Sequence, residues 1–467
     1  EPQLRLGSLF NRVGDACRPF YGKTTEGSLM SDTSEVWVFT DIANGDSGKG
    51  TTVDCVAFDR GAHTTVRFNG GAQAGHGVTT PDGRHHIFAQ FGCATMLPGV
   101  ETFLSRFMLL DPWRMVSEEG FLRRLGVMDA FERTSVDERC LVVTPFHGAA
   151  NRLRERSRGE GRHGSCGLGV GEAAKDALTQ ADVLWAADLR DLATCHRKLL
   201  ASQHRMREQL WADGILRVCW NMPEAQEDID LLTDGSVTDR FVAMLGEFRV
   251  TIVGDGHMAS VLARPGGVIF EPAQGVLLDE WRGFHPHTTW STTTDHNANA
   301  LLREAGYAGR VRRLGIVRGY AVRHGAGPFP TYDTQLSAQL PDPPSARAQW
   351  QGAFRVGAFD TVATRYAIAC LEKPLDGLVI TCLDRLAQIG QWKMATSYEV
   401  IGRDIALGPY RDLGYQEALT HRLLEARPVY ESYQDEEEHL LAIERELDLP
   451  VALTSHGPSR SDKHWRG

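Results

Sequence analysis

A glycine-rich turn near the start of the chain constrains the fold more than any other feature. Residues 44–51 read N-G-D-S-G-K-G-T, and they closely follow a run of apolar and aromatic residues, V-W-V-F at 36–39. Glycines let backbone N–H groups approach oxyanions, Lys49 supplies a cation, and a helix after the turn would add its N-terminal dipole. The pattern therefore predicts a strand, a phosphate-binding loop and a helix in succession.

The turn is not a Walker A loop. That motif requires glycine where this chain has Ala43, five residues before Gly48, and it has no use for an acid at the position of Asp46. A second glycine-rich turn, N-G-G-A-Q-A-G-H, follows at 69–76. Together the two turns indicate a phosphate chemistry of another kind.

Charge and cysteine content narrow the class of protein. With 50 basic and 60 acidic residues among 467, the net charge is −10, which argues against a nucleic acid or an anionic membrane as partner. The nine cysteines include no C-x-x-C pair. Neither a disulfide framework nor a zinc cluster is therefore indicated, and a cytoplasmic location is expected. No apolar run approaches the roughly 20 residues of a membrane span.

From residue 35 onward, short apolar runs alternate with amphipathic stretches. Strands are predicted at 36–40, 63–68, 142–145, 267–271, 378–383 and 393–398. Helices are predicted at 192–213, at 237–249, and from the acidic run at 435–439 through 447, whereas 151–175 and 339–357 have the composition of long loops. This alternation predicts an α/β protein with a mainly parallel central sheet flanked by helices.

The compact pattern begins only after about thirty residues. We therefore expect residues 31–467 to form a single catalytic domain and residues 1–30 to be an N-terminal extension or an expression remnant.

Five motifs in a fixed order carry a resemblance to a known family. They are the turn at 46–50, the turn at 69–76, F-E-P-A-Q-G at 270–275 with L-L-D at 277–279, G-A-G-P-F-P-T at 325–331, and T-C-L-D at 381–384. In order and spacing they resemble the adenylosuccinate synthetases, which join IMP and aspartate using GTP. The resemblance spans roughly residues 35–460. It implies a P-loop-NTPase-like fold with long insertions and a ligase that forms C–N bonds.

The resemblance also implies catalytic roles. Asp46 matches the base that removes the proton from purine N1, so that O6 can attack the γ-phosphate of GTP and an amine can then displace phosphate. His76 matches the general acid, and Lys49 would neutralise the transferring group. Asp46 and the carbonyl oxygen of Gly75 match ligands of a Mg²⁺ ion. Read singly, Asp46 would be a turn-forming residue and His76 a satisfied loop histidine.

Substrate contacts follow in the same way. For GTP the matching residues are Gly45, Gly48, Lys49, Gly50, Gly75, His76, Asp384, Ser455 and Gly457, with Asp384 reading guanine N1–H and N2–H₂. For the purine acceptor they are Gln73, Ser165, Gln274, Thr289 and His324. Gln274 would hydrogen-bond the purine ring, which needs both a donor and an acceptor. Alternatively, Gln274 is a buried glutamine that ties a loop to the backbone, and Thr289 is a residue of a β-strand.

The chain departs from the family where the amine and the 5′-phosphate bind. The family's arginine-rich loop G-R-R-R-R-T-G-x-x-D corresponds to Q-G-A-F-R-V-G-A-F-D at 351–360, which keeps only Arg355 and places Phe354 beside it. The arginine that a neighbouring subunit lends falls near Gln180, and the lysine before the base-reading acid is Cys382. Phe354 favours an apolar or aromatic amine, and guanine preference over adenine stays open.

Three hypotheses therefore stand. The chain is a specialised ligase with altered amine or acceptor specificity, as in a natural-product pathway; or an ordinary adenylosuccinate synthetase of purine biosynthesis; or a purine-nucleotide-binding protein without catalysis. The expected partners are a purine nucleotide or nucleoside and an amine. The family's homodimer is expected as well.

Overall fold

The computed structural model describes residues 34–162, 164–341, 350 and 352–466. The predicted extension at 1–30 lies outside the described residues. The strands are β1 (Glu35–Asp41), β2 (Ala62–Arg67), β3 (His76–Thr79), β4 (His85–Phe88), β5 (Glu101–Leu104), β6 (Leu109–Leu110), β7 (Thr134–Asp137), β8 (Leu141–Val142), β9 (Thr251–Val253), β10 (Gly267–Glu271), β11 (Val311–Arg318), β12 (Ala321–His324), β13 (Phe354–Gly357), β14 (Phe359–Asp360), β15 (Gly377–Thr381), β16 (Trp392–Tyr398), β17 (Pro428–Tyr433), β18 (Val451–Ser455) and β19 (Lys463–Trp465).

The helices lie between these strands. They are α1 (Lys49–Asp59), α2 (Pro112–Arg124), α3 (Pro145–Ser157), α4 (Val170–Thr179), α5 (Leu192–Ala212), α6 (Ile215–Cys219), α7 (Gln226–Thr233), α8 (Ser236–Leu245), α9 (His257–Leu262), α10 (His296–Glu304), α11 (Thr334–Gln339), α12 (Thr361–Ala369), α13 (Leu383–Ile389), α14 (Leu413–Leu424) and α15 (Glu436–Leu447). No described helix is long and apolar enough to cross a membrane.

A ten-stranded sheet organises the chain, in the order β19-β18-β15-β11-β1-β10-β2-β5-β7-β9. Every neighbouring pair is parallel except β18 and β19. β1 lies near the middle, and all its residues except Glu35 are buried, as expected for a strand covered on both faces. The prediction of a mainly parallel sheet flanked by helices is confirmed.

The carboxyl ends of the parallel strands bring the motifs together. The glycine loop follows β1, the turn at 69–76 follows β2, Q-G at 274–275 follows β10, and C-L-D at 382–384 follows β15. In an open parallel sheet these ends lie along one edge, where ligands bind. Motifs that are hundreds of residues apart in the chain therefore share one cleft.

Smaller sheets stand beside the central one. β12 and β13 pair antiparallel with His324 opposite Phe354, and β14, β16 and β17 form a three-stranded sheet. The strand predicted at 393–398 is thus confirmed as β16, but it belongs to this second sheet. Its core residues, including Met394 and Tyr398, are buried in an apolar cluster that also covers β15.

The long loop predicted at 151–175 is wrong for most of its length, because α3 continues to Ser157 and α4 begins at Val170. In α4 the buried residues Val170, Ala173, Ala174 and Ala177 recur at helical spacing. The many small and polar residues of this stretch obscured that spacing. Gly169, with φ of +81°, precedes the helix in a left-handed conformation that glycine adopts without strain.

Gly275 sets how closely the glycine loop packs against β10. A Cβ atom there would lie 2.2 Å from the carbonyl oxygen of Ala43 and 2.3 Å from the amide nitrogen of Gly45. Both neighbours are backbone atoms, so the loop itself would have to move.

We predict that Gly275→Ala lowers the free energy of unfolding by about 1–3 kcal/mol, the usual cost of overpacking. Gly120→Ala is the matched control, because Gly120 lies inside α2 and a Cβ added there would meet open space. This variant should stabilise the protein by about 0.5–1 kcal/mol. Urea unfolding of both variants measures the difference. Equal effects would show that the close approach at Gly275 is not a constraint.

Candidate active site

The glycine loop is held between strand ends and the start of α1. Gly48 precedes the helix with φ of +76°, and a Cβ there would lie 3.2 Å from the Thr381 hydroxyl oxygen. Thr381 in turn donates a hydrogen bond to the carbonyl oxygen of Ser47 at 2.8 Å. A Cβ on Gly50 would lie 2.6 Å from the Gly77 carbonyl oxygen. The two predicted phosphate turns therefore pack directly against each other.

Lys49 forms a buried ion pair at the base of the loop. Its Nζ lies 2.6 Å from Oδ2 of Asp41, the last residue of β1, and both side chains are almost completely inaccessible. A lysine held in this way keeps its ammonium group at the strand end before any ligand arrives. The sequence analysis missed Asp41, although an acid that ends an apolar strand just before a glycine loop was a usable signal.

Asp46 presents its carboxylate to the cleft. Its side chain is 45% exposed, and Oδ2 lies 3.2 Å from Nε2 of His324. Arg318 donates to the carbonyl oxygen of Asp46, and the backbone adopts a left-handed φ of +56°. Burial alone would raise the pKa of Asp46, but the hydrogen bond and charge of His324, with Lys49 and Arg318, hold it well below the usual range. Asp46 is therefore a carboxylate at neutral pH, the form that a general base requires.

His76 belongs to a fully buried network. Its Nδ1 lies 2.7 Å from Oε1 of Glu271, and its Nε2 lies 3.2 Å from the carbonyl oxygen of Ala273. Cys93 donates to the same Glu271 through its backbone N–H and its thiol, each at 2.9 Å. Arg67 lies 3.6 Å from that carboxylate. Burial lowers the pKa of His76 and Glu271 raises it, with a net lowering.

This network is a hydrogen-bonded cluster and not a metal centre. Among the described residues, the ligand atoms of His76, Cys93 and Glu271 lie within 4.8 Å of one another. The 2.7 Å and 2.9 Å contacts are hydrogen-bond lengths, whereas nitrogen ligands of a tetrahedral zinc ion stand about 3.3 Å apart. Burial also raises the pKa of the Cys93 thiol well above its usual range, so it remains a donor.

The two predicted purine-contacting glutamines flank one turn. A Cβ on Gly70 would lie 3.1 Å from the side-chain amide atoms of Gln274, and one on Gly71 would lie 3.0 Å from Oε1 of Gln73. Both amide atoms of Gln274 are shielded from solvent and have no hydrogen-bond partner within the described part of the chain. A buried amide without partners is costly, which is typical of a group that awaits a ligand.

Two of the predicted acceptor contacts, Thr289 and Ser165, come from two segments that meet. Thr289 is half-buried and is held by its N–H to the Leu278 carbonyl oxygen at 2.8 Å. Ser165 donates to Asn151 at 3.1 Å. The 164–171 segment reaches Trp290, because a Cβ on Gly171 would lie 3.2 Å from its indole ring. The segments that carry Ser165 and Thr289 are therefore in contact with each other.

The predicted base-binding residues gather at the other end of the glycine loop. Asp384 lies in the first turn of α13. The residue that precedes this helix, Cys382, has a left-handed conformation. Ser455 ends β18, and Gly457 lies in the turn that follows it. Its Pro458 carbonyl oxygen accepts a hydrogen bond from Thr51 of α1 at 2.8 Å. Phosphate and base elements are thus linked through α1.

The two residues predicted to contact the amine, Phe354 and Arg355, have different surroundings. Phe354 is half-buried, and its ring centroid lies 4.9 Å from that of His324. Arg355 instead donates to the carbonyl oxygens of Gly325 and Gly327, at 2.5 Å and 3.0 Å, and its guanidinium lies over the ring of Phe329. Arg355 is therefore used to hold the loop after β12.

A parallel sheet that brings the residues predicted for phosphate binding, acid–base chemistry and base binding to one edge is typical of a nucleotide-dependent enzyme. Residues 40–464 match the family model described as adenylosuccinate synthetase. The chain is 31% identical over 450 residues to the adenylosuccinate synthetase of Acidithiobacillus ferrooxidans, covering 90% of this chain and 95% of that protein. It is 28% identical over 422 residues to that of Magnetococcus marinus, covering 88% and 90%.

Two solved structures share the fold. One is a fully ligated adenylosuccinate synthetase from Plasmodium falciparum, with a TM-score of 0.69 at 18% identity, over 93% of this chain and all of that one. The other is a succinoaminodeoxyadenylate synthetase of cyanophage S-2L, with a TM-score of 0.57 at 16% identity, over 92% and 95%. The chain belongs to the adenylosuccinate synthetase family, a family of GTP-dependent ligases that form carbon–nitrogen bonds.

We predict a pH signature for Glu271. Burial favours its neutral form, but Arg67 and His76 outweigh burial and lower the pKa of Glu271 to about 2 from an ordinary value of 4.5. The stability that its ionisation adds is therefore complete above about pH 4.5 and is lost as the pH falls toward about 2. Urea unfolding should show Glu271→Gln to be destabilised most at neutral pH, with the gap to wild type closing below about pH 4.5.

Glu399→Gln, on the exposed residue after β16, is the control and should show no such gap. A gap for Glu271→Gln that does not change with pH would contradict an ionised Glu271.

Proposed function

We propose that this protein joins an amine to the 6-position of a purine and consumes GTP in doing so. Asp46 removes the proton from N1 while O6 attacks the γ-phosphorus and the bond to the β-phosphate oxygen breaks. The amine then attacks C6, the C6–O6 bond breaks, and phosphate leaves with O6. The observation that carries the proposal is the exposed Asp46 carboxylate on the glycine loop, with Nε2 of His324 at 3.2 Å.

Two further side chains, Lys49 and His76, support the transfer of the phosphoryl group. Lys49 is fixed beside the loop by Asp41, where an ammonium group offsets charge on a transferring phosphoryl group without reorganising. His76 lies against Gly50 through its Cβ and backbone, and the Glu271 carboxylate fixes its ring. A histidine held in this way can donate a hydrogen bond to a phosphate oxygen once substrate displaces its contact to Ala273.

The site suits a magnesium ion. Asp46 offers an exposed carboxylate on the phosphate loop, and the half-buried Gly75 lies in the adjoining turn. Hard oxygen donors of this kind, few in number and beside phosphates, fit Mg²⁺. Bound there, the ion would offset the charge of the nucleotide phosphates.

The residues predicted to contact the amine support a substrate other than aspartate. Where the family's arginines would bind carboxylates, Phe354 presents an aromatic ring packed on His324, and the guanidinium of Arg355 is bound to backbone carbonyl oxygens. Each charge-assisted hydrogen bond lost to a carboxylate costs on the order of 1.5–3 kcal/mol. We therefore propose an amine less acidic than aspartate, in a specialised pathway such as natural-product biosynthesis.

The second candidate is an ordinary adenylosuccinate synthetase that acts on IMP, aspartate and GTP. This candidate is favoured by a relative of that name whose alignment covers 90% of this chain. Substrates nonetheless vary within the fold, since the cyanophage structure holds dGMP with dATP as energy donor. A protein that binds purine nucleotides without catalysis is the third candidate, and the presence of both Asp46 and His76 disfavours it, because binding alone gives no reason to keep them. A homodimer remains a prediction.

We predict that phosphate release from Mg²⁺–GTP is weak with IMP and aspartate and rises when aspartate is replaced by a less acidic or aromatic amine. Mass spectrometry of the products identifies the bond formed. Stoichiometric adenylosuccinate would make this an ordinary synthetase.

Asp46→Asn should reduce the turnover found by about 10²–10⁴-fold and leave GTP binding intact. Asp239→Asn, on the surface of α8, is the matched control.

We predict that Phe354→Arg raises kcat/KM for aspartate by about tenfold, because one charge-assisted pair with a carboxylate is restored. Phe354→Leu is the control, since it removes the ring without adding charge. Position 352 is unsuitable for the same test, because Gly352 has φ of +85° and a Cβ there would lie 3.2 Å from Gly325 Cα. If aspartate use does not improve in Phe354→Arg, the changed amine site is not the reason for poor turnover.

A further inference from the structure

His324 stands beside the residue that the proposed function uses as its base. Its Nε2 lies 3.2 Å from Oδ2 of Asp46, and its side chain is 21% exposed against 45% for Asp46. Asp46 itself lies on a glycine loop and has a left-handed φ of +56°. A half-exposed carboxylate on a turn can adopt several rotamers, and the contact with His324 selects one of them.

The hairpin of β12 and β13 fixes the position of His324. His324 pairs with Phe354 in the antiparallel register, and the centroids of the two rings lie 4.9 Å apart. Packing between two rings at this distance limits how the imidazole can turn. The ring is therefore held from β13 while its Nε2 faces the glycine loop.

Two further contacts set this hairpin against the glycine loop. The side-chain amide of Asn44 donates to the carbonyl oxygen of Val322 at 3.2 Å, and Arg323 donates to Oδ1 of Asn44 at 2.7 Å. Asn44 is two residues before Asp46, and Val322 is two residues before His324. The register of the hairpin against the loop is thus set directly beside the contact between the histidine and the carboxylate.

The backbone of Asp46 is held separately. Arg318, at the end of β11, donates to the carbonyl oxygen of Asp46, and its guanidinium carbon lies 5.7 Å from the centroid of the Phe354 ring. One strand therefore holds the main chain of Asp46, and another holds Oδ2 of its carboxylate.

We propose that His324 is a positioning residue for Asp46: it donates its Nε2–H to Oδ2, so that Oδ1 is presented to the purine. In the proposed first step the proton leaves N1 for Oδ1, the bond between O6 and the γ-phosphorus forms, and the bond to the β-phosphate oxygen breaks. His324 keeps its own proton throughout. This inference rests on the proposed function, in which Asp46 is the base, and it assigns His324 a role through Asp46 in place of the predicted contact with the acceptor.

Positional isotope exchange tests the first step without any amine. GTP that carries ¹⁸O in the β,γ-bridge scrambles this label when the γ-phosphoryl group leaves and returns, and Mg²⁺ with IMP or inosine supplies the acceptor. His324→Leu should slow the exchange by about 10²-fold, because misplacing a reacting group by about 1 Å costs about that much. His324→Gln should retain most of the rate, since its amide N–H lies close to the position of Nε2. The shorter His324→Asn should behave like His324→Leu.

A double variant separates positioning of Asp46 from an independent role of His324. If His324 acts through Asp46, Asp46→Asn/His324→Leu exchanges no more slowly than Asp46→Asn alone, and His324→Leu leaves the KM for the acceptor unchanged. Losses that add, or a raised KM with an unchanged maximal rate, would overturn the proposal. If Asp46→Asn exchanges too slowly to measure, the proposal stands or falls on whether His324→Gln exceeds both His324→Asn and His324→Leu.

His421→Leu is the matched control, because His421 is exposed in the last turn of α14, and it should exchange at the wild-type rate. Thermal unfolding and GTP binding check each variant, and His324→Asn replaces His324→Leu if the latter does not fold. Normal exchange by His324→Leu would contradict only the role of His324. No exchange by the wild-type protein with either acceptor would contradict the proposed function itself, which is a distinct result.

Discussion

The buried ion pair between Lys49 and Asp41 is the interaction on which the site depends. It joins the last residue of the central strand to the first residue of the helix that follows, at 2.6 Å and out of contact with solvent. Removing one partner of such a pair costs about 3–5 kcal/mol, because an uncompensated charge is left buried. The pair therefore fixes where the glycine loop between the two residues must run, and with it Asp46.

Several further contacts of the loop lead back to strand ends of the same sheet, and Asn44 and Asp46 also contact β12 of the two-stranded sheet. Thr381 ties it to β15, Gly275 lets it approach β10, and Arg318 at the end of β11 binds the Asp46 carbonyl oxygen. A parallel sheet places these ends along one edge. The residues predicted for acid–base chemistry and phosphate binding therefore stand on rigid elements, while those predicted to set specificity lie on β12–β13 and at the turn after β18.

Much of this was predictable from the residues. The glycine loop and the parallel sheet follow from local composition, because turn glycines and apolar runs act over short distances. The roles of Asp46 and His76 come from the family resemblance and stay predictions. The partners of the catalytic groups did not follow. Glu271 is 195 residues from His76, and no local pattern indicates that their strands' ends meet. The helices within 151–175 were also missed, since their small buried residues form a weak periodic signal.

The sequence by itself determined the family, the order of the motifs and the loss of the carboxylate-binding arginines, because each of these depends on residue identity alone. Only the tertiary structure decided that Arg355 is bound to backbone carbonyl oxygens, that Phe354 packs on His324, and that Lys463 donates to the backbone of the turn after β18. These assignments depend on where side chains distant in the chain point. The packing of strands and turns sets those directions, and residue identity does not.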